Sequence, residues 1–225
     1  MPDISFSDEI RAAAPGLRVL IAEASVRNSD TTDELWQEIA SACSEIGRMP
    51  MEAVNKRPAI AATRAAYKAL GKDPNRYRPS AEALSRRAVK GMDLYRTTAI
   101  VDLINLLSLR SGHSIGAFDA DAIDGDSICL GRGCEGEPYE AIGRGLLNIA
   151  GLPVWRDATG GFGTPTSDNE RTKLSGSTCR LLVTANMYGT SEMSDSEFEA
   201  ELCRLLTQYA AATDIKTAYH TPVAL

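Results

Sequence analysis

Histidine is nearly missing from this chain: only His113 and His220 occur in 225 residues. Five cysteines (Cys43, Cys129, Cys134, Cys179 and Cys203) are scattered, with no CxxC among them. Soft ligands at close spacing are therefore too few for a tetrahedral zinc site, and no metal is expected. The odd count and irregular spacing also argue against a disulfide framework. Free thiols point to a reducing, cytoplasmic setting, each expected as a small buried apolar residue. No apolar run approaches the roughly 20 residues that span a bilayer. The stretch MPDISFSDEIRAAAPG has no basic segment followed by an apolar core, so neither a signal peptide nor a membrane partner is expected. Positive charge is not in surplus either. Lys and Arg number 24 against 30 Asp and Glu, a net charge of −6, which argues against tight nonspecific nucleic-acid binding through the overall field. Neither a phosphate-binding Walker loop nor a dinucleotide fingerprint is present, and no cofactor is expected.

What is present is ordinary for a soluble globular protein: 44% apolar and 24% charged residues. There is no internal repeat and no low-complexity linker, so residues 1–225 are read as a single domain. The most informative stretch is 97–119, TTAIVDLINLLSLRSGHSIGAFD. Its helical part, Thr97 to Leu109, is apolar on nearly every side, and such a helix has to be wrapped by the fold. Asp102, Asn105 and Ser108 recur every third residue along it. That narrow polar stripe is either internal scaffolding or the wall of a site, because a buried polar group without a partner costs roughly 1–3 kcal/mol.

Around this helix the periodicities predict further elements. Leu17–Ser25 reads as a buried strand. Thr31 and Glu34 form a capping box for a helix whose apolar face is Leu35, Ile39, Ala42, Cys43 and Ile46. Pro58 opens a helix to about Leu70, facing inward through Ile60, Thr63, Tyr67 and Leu70. Ser80 is read as the cap of a short helix ending near Gly91. Strands are expected at 127–131, 143–149, 152–156 and 178–188. Ser194 and Glu197 form a second capping box, followed by Phe198, Leu202, Leu205, Leu206 and Tyr209 on one helical face. An edge strand is expected near 216–219. Helices lead and strands follow, so the fold class is α+β: a mixed sheet core with helices packed outside.

Three features bear on chemistry. Residues 158–177 read as a polar loop of about twenty residues, long enough to suggest function. Its GGFGTP segment suits a turn better than an anion cradle, while the group Thr166, Ser167, Asp168, Asn169, Glu170 and Arg171 fits a small polar ligand and a solvated loop equally. The segment 72–90 concentrates Lys72, Arg76, Arg78, Arg86, Arg87 and Lys90 against Asp73 and Glu82. Charge alone favours a solvated helix face there over phosphate contacts. His113, on a Gly-flanked loop, is a candidate base but reads more simply as a surface residue.

VDLIN at 101–105 and GAFDADAIDG at 116–125 share order and spacing with a known family. The central stretch resembles the B3/B4 domain of the phenylalanyl-tRNA synthetase beta subunit, in which a V-V-D-x-x-N helix leads to an H-A-F-D segment. RPSAEALSRR and LNIAGLPVWRDATGGFGTPTSDNERT are similar to stand-alone members of that superfamily, and the likeness covers roughly residues 55–190. The resemblance implies a pocket beside the central helix and an editing activity: hydrolysis of the ester of mischarged aminoacyl-tRNA, here in trans. It implies tRNA or aminoacyl-tRNA as partner and an amino-acid moiety as ligand. The family's pocket asparagine falls on Asn105, the residue expected to act in catalysis. Its histidine falls on Gly116, and the glutamate that recognises a tyrosine hydroxyl falls on Thr184. With these, Thr166, Ser167 and Asp168 are expected to bind substrate, Asp168 holding the α-amino group. Arg78, Arg86 and Arg87 are expected to meet RNA. Gly116 and Thr184 carry neither of the family's functional groups, which leaves open a noncatalytic RNA-, amino-acid- or nucleotide-binding module.

Overall fold

The computed structural model of the chain describes residues 1–222. The chain opens with β1 (Asp3–Phe6), α1 (Asp8–Ala13) and β2 (Arg18–Ser25). Four helices follow: α2 (Asp33–Gly47), α3 (Pro58–Ala69), α4 (Ser80–Val89) and α5 (Ala99–Ser111). Next come β3 (Ile115–Asp119), β4 (Ser127–Arg132), β5 (Glu140–Ala141), β6 (Gly145–Leu146), β7 (Pro153–Arg156) and β8 (Gly161–Gly163). The last elements are β9 (Arg180–Met187), α6 (Asp195–Ala210) and β10 (Thr213–His220).

The fold is α+β, built on two four-stranded sheets packed face to face. One is antiparallel, in the order β10-β2-β9-β3; the other is mixed, in the order β1-β4-β7-β8, with β1 and β4 parallel. Between the sheets lie Val19, Ile21, Phe118 and Leu182 from the first and Ile128, Leu130, Trp155 and Phe162 from the second. The opposite face of the first sheet, with Leu20, Ala22, Val183 and Ala185, packs against α2, α5 and α6. Strands β2 and β9 are thus covered on both faces, which is why their sequences run as nearly unbroken apolar segments. Helix α5 is buried for the same reason: Ile100, Leu103, Leu106, Leu107 and Leu109 have almost no exposed surface.

Several local expectations change. The cap of α2 is Thr32, whose side chain accepts from the Leu35 N–H; Thr31 instead donates to Asp102. Pro79 precedes the first turn of α4, and Ser80 lies inside it. The expected strand at 143–149 is reduced to the two-residue pair β5–β6. The long loop contains β8 and a 3₁₀ turn at Glu170–Thr172, and β1, α1 and β3 join the predicted elements. The cysteines are free but not fully buried, Cys134 and Cys179 being exposed. The Ser194–Glu197 capping box, Pro58 at the start of α3 and the edge strand β10 are all found. Among the described residues, no helix is long and apolar enough to cross a membrane.

His113 lies in the core and not at the surface. It follows Gly112, which ends α5 in the left-handed conformation at φ +76°. Its ring meets Phe198 edge-on, with centroids 5.7 Å apart. Burial lowers its pKa from 6.5 to about 4, against a pull upward from Asp195. The folded state therefore holds His113 neutral where the unfolded chain would protonate it. Its contribution is intact above pH 6.5 and is lost progressively as pH falls toward 4. The stability difference between wild type and His113→Leu, measured by urea denaturation, is expected to be constant above that window and to shift in favour of the variant within it.

Candidate functional site

The site is built where the first sheet ends. β3 is an edge strand, so its outward backbone groups need partners other than β9. Helix α5 runs alongside, leaving a cleft of about 490 Å³ between the two, closed at the far side by the 164–174 segment. Its apolar walls include Val101, Ile104, Ile115, Ala117, Ile142 and Leu174, and its polar groups include Asn105, Ser108, Ser167 and Asp168.

The three members of the polar stripe of α5 have different roles. Asp102, 1% exposed, is scaffold: it accepts from the Thr31 hydroxyl and from the Thr97 N–H at 3.1 Å. Burial raises its pKa, and those hydrogen bonds oppose the rise. Asn105 and Ser108 line the cleft. The C-terminus of α5 is anchored by buried Arg57, which donates to the Leu109 carbonyl at 2.8 Å and pairs with Glu192.

Asp168 is delivered by a tightly held loop. The Ile142 N–H donates to the Asp168 carbonyl at 3.0 Å, and the Ser80 N–H to the Pro165 carbonyl at 2.8 Å. The hydroxyls of Thr164 and Tyr139 both donate to the Ser167 carbonyl, at 2.9 and 2.8 Å. Tyr139 is itself buried. So fixed, the Asp168 carboxyl takes hydrogen bonds from the backbone of Ala117, on the free edge of β3, and of Thr164. It retains some exposure to the cleft but is otherwise enclosed by protein. Desolvation pushes its pKa up to about 8, the two backbone hydrogen bonds opposing the rise. Among the described residues no cation offsets it.

Behind Asp168 lies a second, much smaller space of about 10 Å³, lined by Gly116, Phe118, Gly163, Thr184 and Asn186 among others. Gly116 and Thr184 are paired across β3 and β9, on the face turned toward the second sheet. The Phe118 ring covers Gly116: a Cβ there would lie 2.5 Å from Phe118 Cζ and 3.1 Å from Thr184 Oγ1. A Cβ added at Gly163 would likewise lie 2.5 Å from Phe118 Cζ. Phe118 also packs edge-to-face on Phe162, with centroids 4.8 Å apart. The side-chain volume that a histidine at position 116 would need is thus taken up by an aromatic ring.

The remaining expected residues lie elsewhere. Thr166 is buried and its hydroxyl shares a 2.9 Å hydrogen bond with Tyr67, so it does not line the cleft. Arg78 and Arg86 flank the fully buried Glu82, at 3.7 and 2.8 Å, together with Arg64 at 2.8 Å. One carboxylate thus fixes three guanidinium groups, leaving the cluster positive. Arg87 stacks over the exposed Tyr95 ring at 4.3 Å. Ser108, Thr164 and Lys173 are among the polar residues that line the cleft beyond the expected set. Ser108 had a signal in the three-residue stripe; the others had none, since they depend on how the loop folds back. Among the described residues, no group of three or more His, Cys, Asp or Glu is placed to hold a metal ion.

The family model for the B3/4 domain matches residues 62–204, well over half of the chain, which therefore belongs to that family. Among solved structures, the chain is similar to an N-terminal fragment of the phenylalanyl-tRNA synthetase beta subunit from Pyrococcus horikoshii. The two are 12% identical with a TM-score of 0.48, and the match covers 95% of this chain and 50% of that one. The chain thus spans about half the length of that fragment. No curated protein sequence matches it.

The glycine at 116 is a packing requirement. Gly116→Ala is expected to destabilise the fold by about 1–3 kcal/mol through overpacking. Pairing it with Phe118→Leu should recover part of the loss from the second substitution, so the two effects are non-additive in a double-mutant denaturation cycle.

Proposed function

We propose that this B3/4 domain, acting as one unit in a cytoplasmic setting, binds the aminoacylated end of tRNA in the cleft beside α5 and hydrolyses the ester in trans. The observation that carries the reading is the convergence of Asn105 and Asp168 on one cleft whose other walls are largely apolar. An apolar wall suits an amino-acid side chain. Asp168 faces the α-ammonium group, and Ser167 contributes a hydroxyl beside it. Asn105 donates to the ester carbonyl or holds the attacking water. Water adds to that carbonyl, the bond to the ribose oxygen breaks, and the ribose hydroxyl leaves with a proton. Aminoacyl esters are intrinsically reactive, so positioning supplies much of the rate. Gly116 and Thr184 border the smaller space behind Asp168, and neither position supplies a carboxylate to accept from a phenol. Arg78, Arg86 and Arg87 meet the RNA backbone.

A panel of mischarged tRNAs, incubated with excess protein, tests the reading directly. At least one should be deacylated, with the rate lowered about 100-fold by Asn105→Ala, as for loss of one transition-state hydrogen-bond donor. Tyrosyl esters should gain nothing over phenylalanyl esters. Neutralising Arg78, Arg86 and Arg87 together should reduce the salt dependence of tRNA binding by about two to three phosphate contacts. The covering of Gly116 by Phe118 favours one other reading, a noncatalytic binding module. Saturable tRNA binding with no turnover of any ester would establish that reading in place of the first.

A further inference from the structure

We propose that the cleft selects its ligand by charge form: it takes an α-ammonium group beside an uncharged carbonyl, as in an aminoacyl ester or amide, and turns away the free amino acid. The proposal rests on the reading that an aminoacyl group enters this cleft, and it adds which chemical form of that group is bound.

The charges on the cleft wall carry it. Among the described lining residues Asp168 is the one carboxylate and Lys173 the one cation. Lys173 is already committed, its Nζ lying 2.5 Å from Glu170 Oε2. Glu170 is held in turn by the Gly143 N–H at 3.1 Å. Asp168, by contrast, takes hydrogen bonds from backbone alone and has no cationic neighbour drawing its proton off. The wall therefore provides a fixed acceptor for one positive group and no unpaired cation for a negative one.

In an amino acid the ammonium and carboxyl groups sit on the same α-carbon. An ammonium docked on Asp168 thus brings its own carboxyl to within a few ångströms of the Asp168 carboxylate. As an ester or amide that carbonyl is neutral, and the Asn105 amide is a sufficient donor for it. As a free carboxylate it would be a like charge in a partly desolvated site. Hydrolysis converts the accepted form into the rejected one: ester and water give carboxylate, ribose hydroxyl and a proton. Product release is then driven by the same group that binds substrate.

Binding to the full chain at pH 7 is measured by titration calorimetry with leucinamide, leucine and N-acetyl-leucinamide. Leucinamide should bind at least about tenfold more tightly than either of the others, a difference in keeping with one charge-assisted contact. Because enclosure raises the Asp168 pKa to about 8, docking of an ammonium at pH 7 should release protons, read from the buffer dependence of the heat. Asp168→Asn, which keeps an oxygen for the Ala117 and Thr164 amides, should abolish both the preference and the proton release. Asn105→Ala should weaken binding of leucinamide and leave its advantage over the acetylated compound. Equal binding of leucine or of N-acetyl-leucinamide, or no binding of leucinamide, would overturn the proposal. Turnover distinguishes it from the reading it rests on. If aminoacyl-tRNA and its N-acetylated form are hydrolysed alike, charge selection fails while deacylation stands. If leucinamide is selected but no ester is hydrolysed, charge selection stands and deacylation fails.

Discussion

A sheet that stops must do something with its last strand, and in this protein the hydrogen bonding of the free edge of β3 organises the site. The outward amide of Ala117 has no further strand to pair with, and the Asp168 carboxyl serves as its acceptor. Together with the hydrogen bonds from Ser80, Ile142, Thr164 and Tyr139 to the loop's carbonyls, this contact holds the 164–168 segment against the sheet edge and beside α5. The space left between them is the cleft. The same contact protects the edge from pairing with another chain. Edge protection and site formation are here one piece of chemistry.

Two carboxylates, one buried and one partly open to a cleft, show how surroundings separate scaffold from site. Asp102 and Asp168 both have raised pKa values, and burial is the main cause for each. Asp102 receives a hydroxyl and a backbone N–H and faces no cleft. Asp168 receives backbone hydrogen bonds and opens onto a cleft large enough for a ligand. The first contributes order at the start of α5. The second is positioned to exchange its proton for an interaction with a cation. Glu82 is a third case: fully buried, it holds three arginines and leaves a net positive cluster on the protein. An acidic chain overall can thus present a local, geometrically fixed basic array.

The departures from the editing-domain pattern also have a physical reading. Gly116 and Gly163 allow the Phe118 ring to lie between them, and Phe118 and Phe162 then fill the inter-sheet core at that point. The absence of side chains at these positions is matched by aromatic packing, so the inner space is nearly closed and the outer cleft carries Asn105, Ser108 and Ser167. In the proposed reading, the chemistry falls to α5 and the 164–174 segment.

The amino-acid sequence by itself determined most of the local structure. Apolar runs marked β2 and β9, capping residues marked α6, a proline marked α3, and a helix with no polar face marked α5 as central. The order of VDLIN and GAFD was enough to indicate the family. It also narrowed the candidate site to the stripe on α5 and the polar loop. Tertiary structure alone decided which stripe member is scaffold, because the partner of Asp102 is Thr31, 71 residues away. It decided that Thr166 is tied to Tyr67, 99 residues distant, while Asp168, two positions on, faces the cleft. It placed His113 in the core against Phe198 and Phe118 over Gly116. Periodicity reports which face of an element is apolar. It does not report which distant group supplies a hydrogen bond, or withholds a counter-charge, and those decide what a buried polar side chain does.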